Sequence, residues 1–388
     1  MISNIHAVQP WLKQFDKAHR KIAESLLDSL VYITTSSMIR DLKEEILQNE
    51  GSDVVSILPI RELLPNEQVY DALNTSLSPL LQVSQEPLGS EAFISNLYIQ
   101  LNRKNTNYFP LSANALGVPN SASLSLDMMR NLNVRKLILI DDIIGSGDRT
   151  KEFVDRLYNH PTIKSRLSFG TLKIEIIAYM ATETGISVIN KFIASKKGLT
   201  LNVLYKAPLI SELANSDDIY DLCKGYANRS DKFPMGYKDG AVRVIFSHSA
   251  PNNIPTILYR SVNRYRPKNN GITGLTQWNA LFPKRYIPTD FSHQIENKKI
   301  NLTKSQKIKT ILKLLDTNCL EVKKLSKMTN LPQYEIKRIL ADLKTNQWVA
   351  VNGKEYTITD IGKLEISSKI KGFKNIAISQ EFYYPYKP

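Results

Sequence analysis

Two adjacent carboxylates followed by a glycine-rich turn are the residues in this sequence best suited to chemistry. Asp141 and Asp142 end an apolar run, and a Gly-Ser-Gly turn at 145–147 precedes a helical pattern that begins near Asp148. Carboxylates accept hydrogen bonds from the paired hydroxyls of a ribose and can help to hold Mg²⁺. Glycines let the backbone approach an anion closely, and the free N–H groups of a helix N-terminus favour a phosphate. The pattern therefore predicts a sugar-phosphate site.

The apolar run before the acids predicts the element that positions them. Residues 137–140 are rich in β-branched side chains and predict a strand buried on both faces of a parallel sheet. Because side chains alternate along a strand, the turn is expected to redirect Asp141 or Asp142. A dinucleotide loop is disfavoured, since position 150 is Thr and the G-x-G-x-x-G pattern is incomplete. Solvated acids at the end of a strand are the plainer alternative.

Residues 138–150 resemble the signature loop of type I phosphoribosyltransferases. The resemblance implies that Asp141 and Asp142 are catalytic and hold the ribose hydroxyls of phosphoribosyl pyrophosphate, with Mg²⁺ bound to that substrate. It also implies that the loop wraps the 5′-phosphate. The implied phosphate-binding residues are Gly145, Ser146, Gly147, Asp148, Arg149 and Thr150.

More of the chain, residues 10–290, resembles the phosphoribosyltransferase-like proteins of bacterial conflict and defence systems. The shared features are a helical N-terminal extension and the segments 115–121, 248–255 and 278–283.

The loop also departs from the pattern of type I phosphoribosyltransferases. Thr150 comes one place later than usual, and no Arg-Gly-Gly loop follows an early strand. Asp148 is expected to turn away from the phosphate and cap the helix, while Arg149 compensates as a phosphate ligand. Binding of a phosphorylated ribose is therefore better supported than transfer of the phosphoribosyl group.

The rest of the first 300 residues predicts an α/β fold. Residues 9–49 show helical spacing, and strand patterns at 54–60, 172–180, 199–205 and 242–246 alternate with helices, as in a parallel sheet. Thr182 and Glu183 are interpreted as a helix start rather than as part of the site. His248 and Asn252 follow the last strand pattern; an acceptor loop is one interpretation, but a structural role for the histidine is favoured.

Aromatic and basic residues mix in the segment that follows. Tyr259, Tyr265 and Trp278 lie among arginines at 260–274. Such a mixture is typical of surfaces that bind single-stranded nucleic acid by stacking and charge. It is equally typical of the edge of a domain.

The C-terminal quarter predicts a winged helix. Helices at 305–315 and 320–328, a third helix from 332 and a hairpin around Asn352-Gly353 follow one another. Residues 295–388 hold 18 Lys and Arg against 9 Asp and Glu, so they carry +9 of the net +14, which indicates a polyanion partner. A protein-docking wing and lysines used for solubility are the alternatives. The expected nucleic-acid contacts are Gln333, Tyr334, Lys337, Arg338, Lys344, Asn352 and Lys354.

Composition narrows the class of protein further. No apolar run approaches the 18 residues of a membrane span, and the first ten residues lack the pattern of a signal peptide. Two distant cysteines and five scattered histidines give no disulfide framework or protein metal site, so a cytoplasmic location is expected. The predicted divisions are a helical extension at 1–52, a type I phosphoribosyltransferase-like domain at 53–295, a winged helix at 302–370 and an aromatic tail at 371–388.

The predicted function is that of a phosphoribosyltransferase-like enzyme of the pentosyl-transferring glycosyltransferases, in nucleotide metabolism. Its expected partners are phosphoribosyl pyrophosphate or a related sugar phosphate, and a nucleic acid bound by the winged helix. The defence resemblance implies an antiviral effector with a nucleic-acid or protein partner. The alternative is a non-catalytic regulator that senses ribose phosphate and binds DNA. The acceptor and the oligomeric state stay open.

Overall fold

The structure is a computed structural model that describes residues 2–48, 53–79, 91–104, 109, 123–300, 304–317, 320–329, 331 and 333–367. The chain divides into two compact units, residues 1–295 and 296–388. The predicted segment 115–121 and the aromatic tail from 371 lie outside the described residues.

The first unit is built on a parallel sheet of four strands in the order β2-β3-β4-β5. The prediction of an α/β fold with a parallel sheet is therefore confirmed. The strands are β2 (Val55–Pro59), β3 (Lys136–Ile144), β4 (Lys173–Ala181) and β5 (Leu199–Lys206). β2, β3 and β4 lie near the predicted positions because each is a run of mostly buried, largely apolar residues, whereas β5 is only half-buried beyond Leu199.

Helices cover both faces of this sheet. On one face, Leu137 and Leu139 pack with α5 (Leu126–Asn131), α6 (Asp148–Asn159), α7 (Pro161–Ser168) and α8 (Glu183–Ile193). On the other face, Ile138 and Ile140 pack with α3 (Thr35–Gln48) and α4 (Glu91–Lys104). This alternation continues through Asp141 and Asp142 and then shifts, because Ile143 packs on the face of Ile138 and Ile140, and Ile144 packs on the face of Leu137 and Leu139.

The N-terminal region is not purely helical, contrary to the prediction. A short strand, β1 (Val31–Ile33), separates α2 (Lys17–Ser29) from α3 and pairs in parallel with β6 (Val244–Phe246), not with the four-stranded sheet. A strand of three residues is too short to show an alternating hydrophobic pattern in the sequence, so β1 can be recognised only from its pairing with β6.

An aromatic core holds α1 (Gln9–Leu12) and α2 to the later part of this unit, which includes α9 (Ser216–Tyr226), α10 (Thr256–Tyr259) and the start of α11 (Thr289–Ile300). Trp278 is 2% exposed and packs on Phe15 and Tyr226, and Tyr265 is 5% exposed and packs on Trp278. These two aromatic residues are therefore core residues of a domain edge and are not available to stack on nucleic acid.

The second unit has its own apolar core. In chain order it contains α12 (Lys304–Thr317), β7 (Leu320–Glu321), α13 (Val322–Thr329), α14 (Gln333–Thr345), β8 (Val349–Asn352), β9 (Glu355–Ile358) and α15 (Asp360–Ser367). The strands form an antiparallel sheet in the order β7-β9-β8, with Gly353 at the hairpin turn. Ile311, Ile336 and Leu340 are among the residues buried between the helices.

Candidate functional site

The two acids lie inside β3, near its carboxyl end, because the strand continues to Ile144. Asp141 is fully buried and Asp142 is 6% exposed. Strand alternation persists through both residues, so Asp141 faces α6 and Asp142 faces the side of α3. The expectation that the turn redirects one acid is therefore wrong: each acid has its own set of partners on its own face.

Asp141 is held by the first turn of α6. Nη2 of Arg149 donates to Oδ1 at 2.5 Å, and the hydroxyl of Thr150 donates to Oδ2 at 3.0 Å. Burial raises the pKa of Asp141 above its ordinary range, against the opposing charge of Arg149, and the neighbouring Asp142 adds to the rise. This acid is thus a structural anchor of the loop as well as a candidate ligand.

Asp142 is held by a histidine from a distant segment. Nε2 of His248 lies 3.0 Å from Oδ2, and the backbone N–H of Ile143 donates to Oδ1 at 2.8 Å. Burial works to raise the pKa of Asp142, but the hydrogen bond of His248 and the charge of Arg149 outweigh it and hold the pKa below its ordinary range. Asp142 is therefore the acid that stays ionised.

His248 also connects Asp142 to the start of α3. Its ring stacks on Phe246 at 5.3 Å between centroids, and its Nδ1 lies 3.4 Å from the hydroxyl of Thr35. Thr35 in turn contacts the hydroxyl of Ser247 at 2.8 Å. Because an ionised carboxylate only accepts, Nε2 carries a proton and the chain of contacts fixes the orientation of the ring.

The turn at 145–147 is tightly enclosed. A Cβ on Gly145 would lie 2.4 Å from the side chain of Asn253, and Gly147 has φ +84° with Val188 3.0 Å from the position of its Cβ. The hydroxyl of Thr182 donates to the carbonyl of Gly145 at 2.7 Å, so this residue supports the turn while it caps α8. A side chain at position 145 would displace the side chain of Asn253, and the positive φ at position 147 favours glycine there.

Asp148 is the first residue of α6, and its carboxylate is neutralised by another loop. Lys238 lies 2.6 Å from Oδ2, and the hydroxyls of Ser146 and Tyr237 donate to the same oxygen at 2.9 and 3.3 Å. Partial burial works to raise the pKa of Asp148, but the hydrogen bonds of Lys238, Ser146 and Tyr237 and the charge of Lys238 together outweigh it and lower the pKa. The repulsion that this acid would exert on a phosphate is therefore offset by Lys238.

The structure thus brings residues 141–150 together and adds partners that the sequence analysis did not assign. Lys238 and Asn253 come from segments about 100 residues away, and Thr35 precedes the acids by about as much. The turn residues around 251–255 marked the position of one such segment. Nothing in the local pattern marked Lys238, which is an ordinary lysine in a loop.

In the second unit, the predicted nucleic-acid contacts lie on α14 and at the hairpin. Gln333 is half-buried, and the side chain of Tyr334 lies outside the described part. Five of the predicted contacts are exposed, namely Lys337, Arg338, Lys344, Asn352 and Lys354.

Among the described residues, no group of three His, Cys, Asp or Glu side chains is placed to hold a metal ion. No described helix is both long and apolar enough to span a bilayer.

The fold and the acid-bearing strand define a protein built like a phosphoribosyltransferase. The PRTase-CE family model matches residues 8–284, and the chain therefore belongs to this phosphoribosyltransferase-like family. The match includes the whole loop from β3 to α6 and ends before the second unit. No curated protein matches the chain.

Proposed function

We propose that the chain binds phosphoribosyl pyrophosphate or a related sugar phosphate at the carboxyl end of β3 and transfers its phosphoribosyl group. One observation carries this proposal: an ionised acid, a glycine turn and the N-terminus of α6 meet at the edge of a parallel sheet, where ligands of such sheets bind. The family match supports the same reading.

Different groups of the site would bind the sugar and its phosphate. The amides of the turn and of the first turn of α6 would hold the 5′-phosphate, since the first N–H groups of a helix lack acceptors within it. Asp142 would accept from the ribose hydroxyls and stabilise the positive charge that develops at C1 as the pyrophosphate leaves. Rate would then come from positioning and electrostatics.

A protein-bound Mg²⁺ does not fit the acid pair. Each of the four carboxylate oxygens of Asp141 and Asp142 already accepts a hydrogen bond, from Arg149, Thr150, His248 or the amide of Ile143. The guanidinium of Arg149 lies within hydrogen-bond distance of both acids, so a divalent cation at the pair would meet this like charge. No step proposed for this site therefore depends on a metal ion held by these acids.

Isothermal titration of phosphoribosyl pyrophosphate into the full chain tests the proposal. Asp142→Asn should weaken binding at least about tenfold, because a charge-assisted hydrogen bond to the ribose becomes a neutral one. Asp155→Asn removes an equal charge from the middle of α6, at a carboxylate paired with Lys196, and should leave binding unchanged. Absence of binding by the folded wild-type protein would refute the proposal.

We further propose that the second unit is a winged helix that binds nucleic acid. The order of helices, the antiparallel hairpin and the exposed Lys337, Arg338 and Lys344 support this reading, as does the charge of +9. A protein-docking surface is the other outcome of the test.

Fluorescence anisotropy with labelled duplex DNA and RNA, using the full chain, separates these outcomes. The triple variant Lys337→Ala/Arg338→Ala/Lys344→Ala should lower the slope of log K against log salt by about 2–3 if each residue meets a phosphate. A matched triple variant of exposed lysines in the first unit, Lys164→Ala/Lys191→Ala/Lys232→Ala, removes the same charge. Equal effects of the two triple variants would refute a specific role for α14.

A role as a cytoplasmic effector of a bacterial defence module also belongs to this proposal, and its support is the family resemblance. A non-catalytic sensor that binds ribose phosphate and DNA is the second candidate, favoured by the engagement of both acids within the chain. Release of pyrophosphate supports the enzyme. Ligand-dependent DNA affinity without turnover supports the sensor.

A further inference from the structure

Arg149 occupies the position between the two acids where a cation would neutralise them. Its Nη2 lies 2.5 Å from Asp141 and 3.5 Å from Asp142, and it also donates to the carbonyl of Ile143 at 3.4 Å. Its carboxylate partners are 0% and 6% exposed, whereas its own side chain is 37% exposed. One end of the guanidinium is therefore anchored in the sheet edge while part of the side chain remains accessible.

The other donors of this guanidinium are uncommitted. Within the part of the chain that the structure describes, all hydrogen bonds of the Arg149 side chain come from Nη2, so Nε and Nη1 donate none. The residue belongs to the first turn of α6, directly after the glycine turn. Arginine presents five donors in a planar fork that matches carboxylates on one side and phosphates on the other.

We infer that Arg149 acts in place of a divalent cation, joining the acid pair to an anionic oxygen of the ligand, so that ligand binding at this site needs no metal ion. The inference rests on the proposed function for the identity of the ligand. Its other claim, that Arg149 excludes a metal ion from the acids, can be tested without any ligand. A guanidinium is permanently charged and holds two carboxylates with directional bonds, whereas Mg²⁺ at the acid pair would have to approach this positive charge.

Two other contacts in the site agree with this reading. Lys238 neutralises Asp148, and His248 satisfies the second oxygen of Asp142, so each acid of the loop has a partner from within the chain. Glu62 adds a further negative charge that acts on Arg149. The site thus gathers several carboxylates and supplies its own cations for them.

The first test titrates Mn²⁺, a paramagnetic substitute for Mg²⁺, into the ligand-free full chain and measures free Mn²⁺ by electron paramagnetic resonance. The wild type should take up no Mn²⁺ at the acid pair. Arg149→Gln should create one Mn²⁺ site, and Arg149→Gln/Asp142→Asn should lose it. Lys151→Gln removes an exposed positive charge two residues along α6 and should create none. A wild-type Mn²⁺ site that Asp142→Asn abolishes would overturn the inference.

The second test measures binding of ribose 5-phosphate by calorimetry, in EDTA and in excess Mg²⁺. The two affinities of the wild type should agree within about twofold, since the cation is part of the chain. Arg149→Lys keeps the charge but loses the fork, and should bind about tenfold more weakly without gaining a Mg²⁺ requirement. This conservative variant also decides the matter if Arg149→Gln fails to fold.

The outcomes separate the two proposals. Wild-type affinity at least about tenfold weaker in EDTA than in Mg²⁺ would overturn the role of Arg149 while leaving the sugar-phosphate site intact. The proposed function would be refuted if the chain bound neither ribose 5-phosphate in either buffer nor phosphoribosyl pyrophosphate. The contact of Arg149 with an anionic oxygen of the ligand would be refuted with it. The Mn²⁺ titration would still decide whether Arg149 excludes a metal ion from the acids.

Discussion

The charges around β3 and the charges on α14 are held in opposite ways. Asp141 and Asp142 are buried, and each is bonded to cations or donors of the same unit. Lys337 and Arg338, on α14, are exposed to solvent. Buried charges depend on their partners, because an unpaired charge in a low-dielectric interior is costly, whereas exposed charges are solvated and screened by salt. Substitutions in the first region should therefore act on stability, and those in the second should act on association alone.

The largest effect should come from Asp141→Asn. The substitution leaves Arg149 without its closest partner inside the sheet edge, so we expect the free energy of unfolding to fall by about 3 kcal/mol. Lys337→Ala on α14 should change it by less than about 0.5 kcal/mol. Urea denaturation followed by circular dichroism measures both, and equal small losses would remove the contrast between the two regions.

The next effect compares a glycine from each region. Gly147→Ala combines φ +84° with a contact 3.0 Å from Val188, and should lower the free energy of unfolding by about 2 kcal/mol. Gly353→Ala at the hairpin has φ +61° but open space around the added Cβ, and should lose only about 1 kcal/mol. Thermal unfolding of both variants provides the measurement. A greater loss at Gly353 would contradict the enclosed geometry of the turn at 145–147.

A smaller effect should appear as a dependence on pH. The pKa of Asp142 lies below its ordinary range in the folded chain, because the hydrogen bond of His248 and the charge of Arg149 outweigh burial. Its contribution to stability is therefore complete above the pKa of about 3.9 in the unfolded chain, and is lost as pH falls through the lower folded value. The stability difference between wild type and Asp142→Asn should shrink by about 1 kcal/mol between pH 5 and pH 2.5.

Urea denaturation at each pH checks this dependence. His248→Gln serves as its control, because loss of the histidine should weaken the same dependence without removing the acid. A stability difference between wild type and Asp142→Asn that stays constant with pH would contradict the assignment of the ionised acid.

The smallest effect should come from the exposed ion pair of Asp148 with Lys238. Both side chains are about half exposed, so Lys238→Met should leave the free energy of unfolding almost unchanged. Lys363→Met removes a comparable exposed pair with Asp360 in the second unit and should have an equally small effect. Differential scanning calorimetry of the two variants is the measurement, and a loss of several degrees in one alone would show that its pair is not merely solvated.

Local patterns predicted the parts of the site that are local. The branched apolar run before Asp141 was enough to predict a buried parallel strand, and the glycines with the helical pattern after them were enough to predict the turn and α6. The pairing of Arg149 with the acids was not predicted, because the sequence analysis expected that arginine to face a phosphate. Strand alternation through Asp142 was misjudged, since the strand was expected to end four residues earlier than it does.

Contacts across the chain were beyond local patterns. His248 contacts Asp142 from 106 residues further along the chain, and Lys238 contacts Asp148 from 90 residues further along. Contacts between residues so far apart in sequence produce no periodic pattern or motif spacing that could predict them. The short strand β1 shows the same limit, because its identity depends on β6. For the second unit, the helices and the β8-β9 hairpin followed directly from helical spacing and the Asn-Gly turn, since those patterns are local, whereas the pairing of β7 with β9 joins residues about 35 apart.

The parallel pairing of β1 with β6 also has a consequence for the order in which the chain folds. Val31 meets Val244, so β1 has no partner until more than two hundred further residues have been synthesised. Contacts of such long separation form late, because closing the intervening loop costs entropy before the contact repays it. The step that brings Thr35, Ser247 and His248 to Asp142 is the same late closure, so a nascent chain can form β3 and α6 well before it can fix the ionised Asp142.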